Sequence, residues 1–196
     1  KKMQDILKED GIIVKAYNDI YEDVKSLQGK VLLDDLLVNY QICSNLNCKI
    51  VKMTNPTQYF KAIKNETEIN ATKNAHLKDG VAMTKFMYWL KTNIGKMKIT
   101  EISAADKLEE LRRNDKECFD LSFSTIAGYK EHAAMMHYSA TEESDNELKQ
   151  EGMLLVDSGG QYYTGTTDIT RTYILGDITE EQKLHYTSVL RGMIRL

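Results

Sequence analysis

Two aspartates, Asp157 and Asp168, stand at the ends of a segment dense in glycine, threonine and tyrosine within "LLVDSGGQYYTGTTDITRTYIL", residues 154–175. Apolar runs lie outside them, Met153 to Val156 on one side and Ile169 with Tyr173 to Leu175 on the other. Ten residues separate the pair. That number is even, so in an antiparallel hairpin the two can stand directly opposite each other, with Cβ atoms roughly 5 Å apart. Two buried carboxylates that close repel, and one stays protonated unless a cation lies between them. A pair of divalent ions, about 3.5–4 Å apart in two-metal hydrolases, removes that penalty. Gly159, Gly160 and Gly165 let the backbone turn sharply. Thr166, Thr167, Thr170 and Thr172 add strand propensity and hydroxyls that could orient ligands. The competing reading of the spacing is a pair of turn and cap aspartates.

The four histidines separate by context. His137, in "MMHY", sits in an apolar stretch expected as a strand, where a histidine is by itself more often a satisfied core residue. His132 falls in a loop. His76 and His185 fall on helices without an acidic partner at ligand spacing. Arg171 is expected to pair with a carboxylate on the neighbouring strand. Cys43, Cys48 and Cys118 are odd in number and loosely spaced, which argues against a disulfide framework or a zinc ribbon.

The elements that must position these residues follow from periodicity. "GIIVKAYND", "KVLLDD" and "KIVKMT" read as short strands that alternate with helices "IYEDVKSLQ" and "LLVNYQICSNL", an α/β pattern. "TNPTQYF" reads as a linker around Asn55-Pro56. A long helix from Glu66 to Asn93 is opened by Asn65, with Glu68 returning as a capping box. Its apolar stripe is Val81, Ala82, Phe86, Trp89 and Leu90, widened by Met83 and Met87 as core residues. "TEISAADKLEELRRN" is a second helix facing inward through Ile102, Ala105, Leu108 and Leu111. Strands are expected at "LSFSTIAG", "AAMMHYSA", "GMLLVDS" and "DITRTYIL", with "TEESDNELKQE" as a solvated loop. Thr179 and Gln182 box the start of a last helix.

Composition narrows the class. The chain is 42% hydrophobic, enough for a sizeable core, and its formal charge is −3. No basic field points to nucleic acid, and no run of eighteen apolar residues points to a membrane span. The opening "KKMQDILKED" shows no signal peptide and lacks an initiator Met, so a piece of a longer protein is expected.

The Asp157–Asp168 stretch resembles the segment that holds the first two metal ligands in the aminopeptidase P branch of the pita-bread metallopeptidases. Other stretches resemble that family in the same order: "KNETEINATKNAHLKDGVAMTKFMYWL" its first long helix, "ITEISAADKLEELRR" its second, "FDLSFSTIAG" and "AAMMHYSA" the strands that follow, and "TEEQKLHYTSVLRGMIRL" the helix after the hairpin. The resemblance implies an α/β (α+β) chain in two parts. Residues 1–57 would be the end of a creatinase-like middle domain, and residues 58–196 the first half of a pita-bread catalytic domain. It implies that Asp157 binds one metal through both oxygens, that Asp168 bridges two metals, and that His137 lines the substrate pocket without ligating. One His and two Glu would come from strands beyond Leu196. Mn²⁺ is the metal implied, with Zn²⁺, Co²⁺ or Fe²⁺ able to bind. The activity implied is removal of the N-terminal residue from peptides with proline second, in a cytoplasmic enzyme whose complete form is a homodimer. The 196 residues alone would be inactive and mostly metal-free. His132 and the preceding Lys-Glu pair depart from relatives, which often carry Asn or Gly there. A prolidase or creatinase-type hydrolase, and a non-catalytic pita-bread module that binds peptides or proteins, are the alternatives.

Overall fold

A computed structural model of the chain describes residues 2–196. It divides into two compact units, Lys1–Lys64 and Asn65–Leu196. The first unit contains helices α1 (Lys2–Glu9) and α2 (Ile20–Asp23), the latter continued by a 3-10 turn, then strand β1 (Lys30–Leu33), α3 (Tyr40–Asn45), β2 (Lys49–Lys52) and α4 (Pro56–Ala62). β1 and β2 pair in parallel, with Val31 opposite Ile50, and the connection between them carries α3.

Three expectations for this unit change. Residues 12–14 are not a strand, and Ile12, Ile13 and Val14 are exposed. Among the described residues no neighbouring strand offers them a ladder, and an apolar run without one has no β-structure to join. The helix expected from Leu36 starts only at Tyr40, because the Asn39 side chain accepts from Gln41 N at 2.8 Å and caps it there. The stretch expected as a linker is helical. Asn55 caps it by accepting from Thr57 N at 3.0 Å, and Pro56 takes the first helical position, where its missing N–H costs nothing.

The second unit is a twisted antiparallel sheet with helices α5 (Glu66–Asn93) and α6 (Glu101–Arg113) packed on one face. Its strands are β3 (Cys118–Tyr129), β4 (Met153–Tyr162), β5 (Gly165–Thr166) and β6 (Ile169–Ile174), followed by α7 (Glu180–Arg195). β4 is central, flanked by β3 on one edge and by β5 and β6 on the other. Alternation along β4 sorts its residues. Leu154, Val156 and Ser158 are buried toward the helices, whereas Met153, Leu155 and Asp157 are half-buried on the opposite face. Phe86 of α5 meets Tyr173 of β6 edge-on at 5.6 Å and anchors the helix to the sheet.

The capping boxes at Asn65/Glu68 and Thr179/Gln182 form as expected. The buried faces also hold charged residues. α5 buries Ala75, Asp79, Ala82, Met83, Phe86 and Leu90, while Val81 and Met87 are exposed and Trp89 is half-buried. α6 buries Glu101, Ala104, Leu108 and Arg112, while Ala105 and Leu111 of the expected face pack half-buried against the core. The reason is chemical: each helix turns a charged residue inward because a partner waits there. Arg112 Nε and Nη2 clamp Asp79 at 2.6 and 3.2 Å, and Nη2 also reaches Ser158 Oγ at 3.0 Å. Tyr162 donates to Asp79 at 3.2 Å. This network joins α5, α6 and β4 and buries a charged pair with both side chains at 0% exposure.

The strand expected at "AAMMHYSA" is absent. Residues Lys130–Ala134 form a 3-10 turn, and the chain then runs through bends without joining the sheet. Ala, Met and His carry little β-propensity. The local backbone also departs from a strand, with φ of 52° at Lys130 and 54° at His137.

Candidate metal centre and substrate loop

The hairpin register decides how the two aspartates meet. β4 and β6 pair antiparallel with Asp157 opposite Thr170 and Ser158 opposite Ile169. β4 and β5 pair with Gln161 opposite Thr166 and Tyr162 opposite Gly165. Both ladders keep one register, so β5 and β6 are two stretches of one strand interrupted at Thr167 and Asp168. In that register Asp168 stands opposite Gly159, not opposite Asp157. The two aspartates are diagonal neighbours on one face of the pleat, a spacing of roughly 7–8 Å, rather than the directly opposed pair expected.

Two contacts impose this register. Tyr162 must point inward to reach Asp79, which leaves Tyr163 and Thr164 as the loop. Gly159 faces the Thr167 carbonyl so closely that an added Cβ would lie 1.9 Å from that oxygen. Only glycine fits at that point, and Thr167 is held further by its hydroxyl, which accepts from Gly160 N at 2.9 Å.

Asp157 is half-buried and accepts from the Thr170 hydroxyl across the ladder at 2.7 Å. That bond orients one carboxylate oxygen in the way outer partners fix metal ligands. Asp168 is exposed at the break before β6. Carboxylates beside threonine hydroxyls are hard oxygen donors, suited to Mn²⁺ and similar divalent ions. Among the described residues no group of three or more His, Cys, Asp or Glu could hold a metal. Asp157 and Asp168 offer two of the donors a divalent ion takes.

The histidines divide differently from the sequence. His137 is exposed in a turn rather than on a strand, with its backbone in the left-handed region. The turn begins over the face that carries Asp157: Gly128 is paired with Leu155, and a Cβ there would meet the Ala133 backbone at 2.9 Å. A hollow lined by Lys130, Ala133, Met153, Leu155 and Thr172 opens on that face. His132 is mostly buried, with Nδ1 3.0 Å from the Glu101 carboxylate. His76 Nδ1 donates only locally, to the Thr72 carbonyl at 3.0 Å, and His185 is exposed on α7. Among the described residues Arg171 finds no carboxylate. It stands opposite Val156, and its guanidinium donates to the Thr170 carbonyl at 2.8 Å.

Sequence periodicity missed Glu101, Asp79, Arg112 and Tyr138. The usable signal was Thr100 as N-cap with an acid directly after it, since an N-terminal acid on a helix has dipole reasons to be there and can be buried if donors surround it.

The sheet thus carries its helices on one face and two carboxylates on the other, donors of the kind a divalent ion takes. The family model for Metallopeptidase family M24 matches residues 70–196, and the chain belongs to that family. Residues 1–68 match the Creatinase/Prolidase N-terminal domain. Xaa-Pro aminopeptidase 1 of Dictyostelium discoideum is 40% identical over 197 residues, covering 95% of this chain and 31% of the relative. Xaa-Pro aminopeptidase 2 of Mus musculus is 39% identical over 188 residues, covering 93% of this chain and 28% of the relative. The X-prolyl aminopeptidase of Caenorhabditis elegans, a cytosolic enzyme with a di-nuclear active site, superposes with a TM-score of 0.88 at 29% identity, covering 100% of this chain and 34% of that one. The fold is thus a creatinase-like N-terminal part followed by a pita-bread part. The chain spans about a third of the length of these relatives. Among the described residues no helix is long and apolar enough to cross a membrane.

Proposed function

We propose that this chain carries the first metal-ligand pair and part of the substrate pocket of a dinuclear Xaa-Pro aminopeptidase, which releases the N-terminal residue from peptides with proline in the second position. The observation that carries this reading is the hairpin register, which sets positions 157 and 168 on the same pleat face, away from the core. The names of the relatives support the substrate class. Asp157 and Asp168 would hold the metal, with Mn²⁺ as the ion that matches a carboxylate-rich site. When bound, a divalent pair supplies polarisation of the scissile carbonyl. Thr170 keeps Asp157 oriented toward the ion, and His137 lines the pocket and contacts the peptide without ligating. Cytoplasmic location and a homodimeric complete enzyme belong to the same reading.

The full-length protein with Mn²⁺ should cleave an Arg-Pro-Pro-type peptide, and a free X-Pro dipeptide should be the poorer substrate; the reverse preference would favour a prolidase. Asp168→Asn should abolish cleavage and lower metal content while leaving the fold intact. His137→Ala should keep its metal and lose about 10- to 100-fold in turnover. Loss of metal from the His137 variant would contradict its assigned role. The 196 residues alone should bind Mn²⁺ weakly and not cleave. Two carboxylates make a shallow site that competes poorly with water. Robust metal-dependent cleavage by this chain as a monomer would overturn that part of the reading.

A further inference from the structure

One carboxylate holds the turn that follows β3. Glu101, the first residue of α6, is fully buried at 0% exposure. Its Oε1 accepts from Tyr129 N at 2.7 Å. Its Oε2 accepts from the Tyr138 hydroxyl at 2.9 Å and from Asn146 N at 3.1 Å. His132 Nδ1 lies 3.0 Å from both oxygens. An ionised carboxylate has about four acceptor sites and no donor. Three of them are taken by Tyr129 N, the Tyr138 hydroxyl and Asn146 N, and His132 Nδ1 lies against the same carboxylate with the Asn146 side-chain amide 3.3 Å from that nitrogen. The helix N-terminus favours the negative charge. The His132 ring also stacks on Tyr138, with centroids 4.6 Å apart.

The four residues come from before, within and after one turn: Tyr129 ends β3, His132 and Tyr138 flank the bend, and Asn146 follows it. Inside that turn Lys130 and His137 hold φ of 52° and 54°. Residues with a Cβ avoid this region unless their surroundings over-determine them. Glu101 supplies that constraint. A carboxylate that merely capped α6 would bond backbone N–H groups of its own first turn; this one bonds none of them and reaches 28 to 45 residues along the chain.

We propose that Glu101 is a positioning residue of the site: through Tyr129, His132 and Tyr138 it sets the turn that presents His137 to substrate on the face of Asp157. This rests on the aminopeptidase reading given above. Glu101→Gln keeps the shape but replaces one acceptor oxygen by an amide that confronts donors. In the full-length protein with Mn²⁺, the variant should retain wild-type metal content and lose about 10- to 100-fold in kcat/KM on the Arg-Pro-Pro-type peptide. Combined with His137→Ala it should lose nothing further, because both changes remove the same contact. Losses that multiply in the double variant, or wild-type kcat/KM in Glu101→Gln, would overturn the proposal. Amide hydrogen exchange gives a readout independent of catalysis. Exchange across residues 130–138 should rise in Glu101→Gln while the α5 amides stay protected, and unchanged exchange there would overturn the proposal. If the wild type cleaves no proline-containing peptide, the aminopeptidase reading falls alone and the exchange result decides the clamp. If Glu101→Gln does not fold, Tyr138→Phe removes a single donor; a smaller change in the same two readouts supports the proposal, and none overturns it.

Discussion

Replacing Asp79 with alanine leaves the Arg112 guanidinium charged and unpaired inside the second unit. Both side chains are at 0% exposure, so water does not screen the loss. Arg112 has little reserve, because its Nη1 is buried without a partner already and Nη2 would keep only Ser158 and Met83. Breaking a buried pair by removing one member costs about 3–5 kcal/mol. For a unit of this size that is a fall in Tm of about 10–20 °C. Trp89 is the only tryptophan of these 196 residues and packs against the core of this unit, so its emission during urea or thermal unfolding of this chain reports on that unit. Replacing both members with apolar residues of similar volume, Asp79→Leu with Arg112→Met, should cost far less than the sum of the single changes, since no stranded charge remains. A single-variant loss below about 1 kcal/mol, the scale of one ordinary hydrogen bond, would refute the view that this pair locks α5 and α6 to β4. So would a double variant as unstable as the two singles added.

Gly159→Ala should destabilise the hairpin by about 3 kcal/mol or more, because its Cβ would press on the Thr167 carbonyl; unfolding midpoints check this, and a neutral substitution would mean the close approach is not needed. Burial pushes the Tyr162 phenol far above its ordinary range, with the neighbouring Asp79 carboxylate adding to it. An unfolded tyrosine ionises near 10, so the folded state binds the extra proton above that pH and stability should fall as pH climbs past about 10. Urea midpoints read through Trp89 between pH 9 and 11 should show the fall, and Tyr162→Phe should lessen it, with buried Tyr138 and Tyr173 carrying the rest; a midpoint constant over that span would contradict it.

Much of the architecture is legible in the sequence because local chemistry and packing agree there. Asn65 with Glu68 and Thr179 with Gln182 start helices by bonds that depend only on neighbours. The parallel pair β1 and β2 follows from short apolar runs either side of α3. What periodicity misses is set by partners distant in sequence. Arg112 and Glu101 turn inward because Asp79 and the 129–146 turn supply their bonds, so charged residues join the buried apolar faces of the helices. The hairpin register shifts because Tyr162 reaches Asp79 and Gly159 meets Thr167, neither of which an even spacing can reveal. The turn at Lys130 to His137 is misread as a strand because its conformation is imposed by Glu101, whose position in α6 lies 31 residues from His132.

The most direct measurement is an anomalous-scattering map from crystals of the full-length protein grown with Mn²⁺. Manganese peaks should lie within about 2.0–2.6 Å of carboxylate oxygens of both Asp157 and Asp168, on the pleat face opposite α5 and α6, with the Thr170 hydroxyl still bonded to Asp157. Manganese bound elsewhere, or an Asp168 carboxylate turned to the helix side of the sheet, would contradict the claim that this hairpin is a metal-binding half-site.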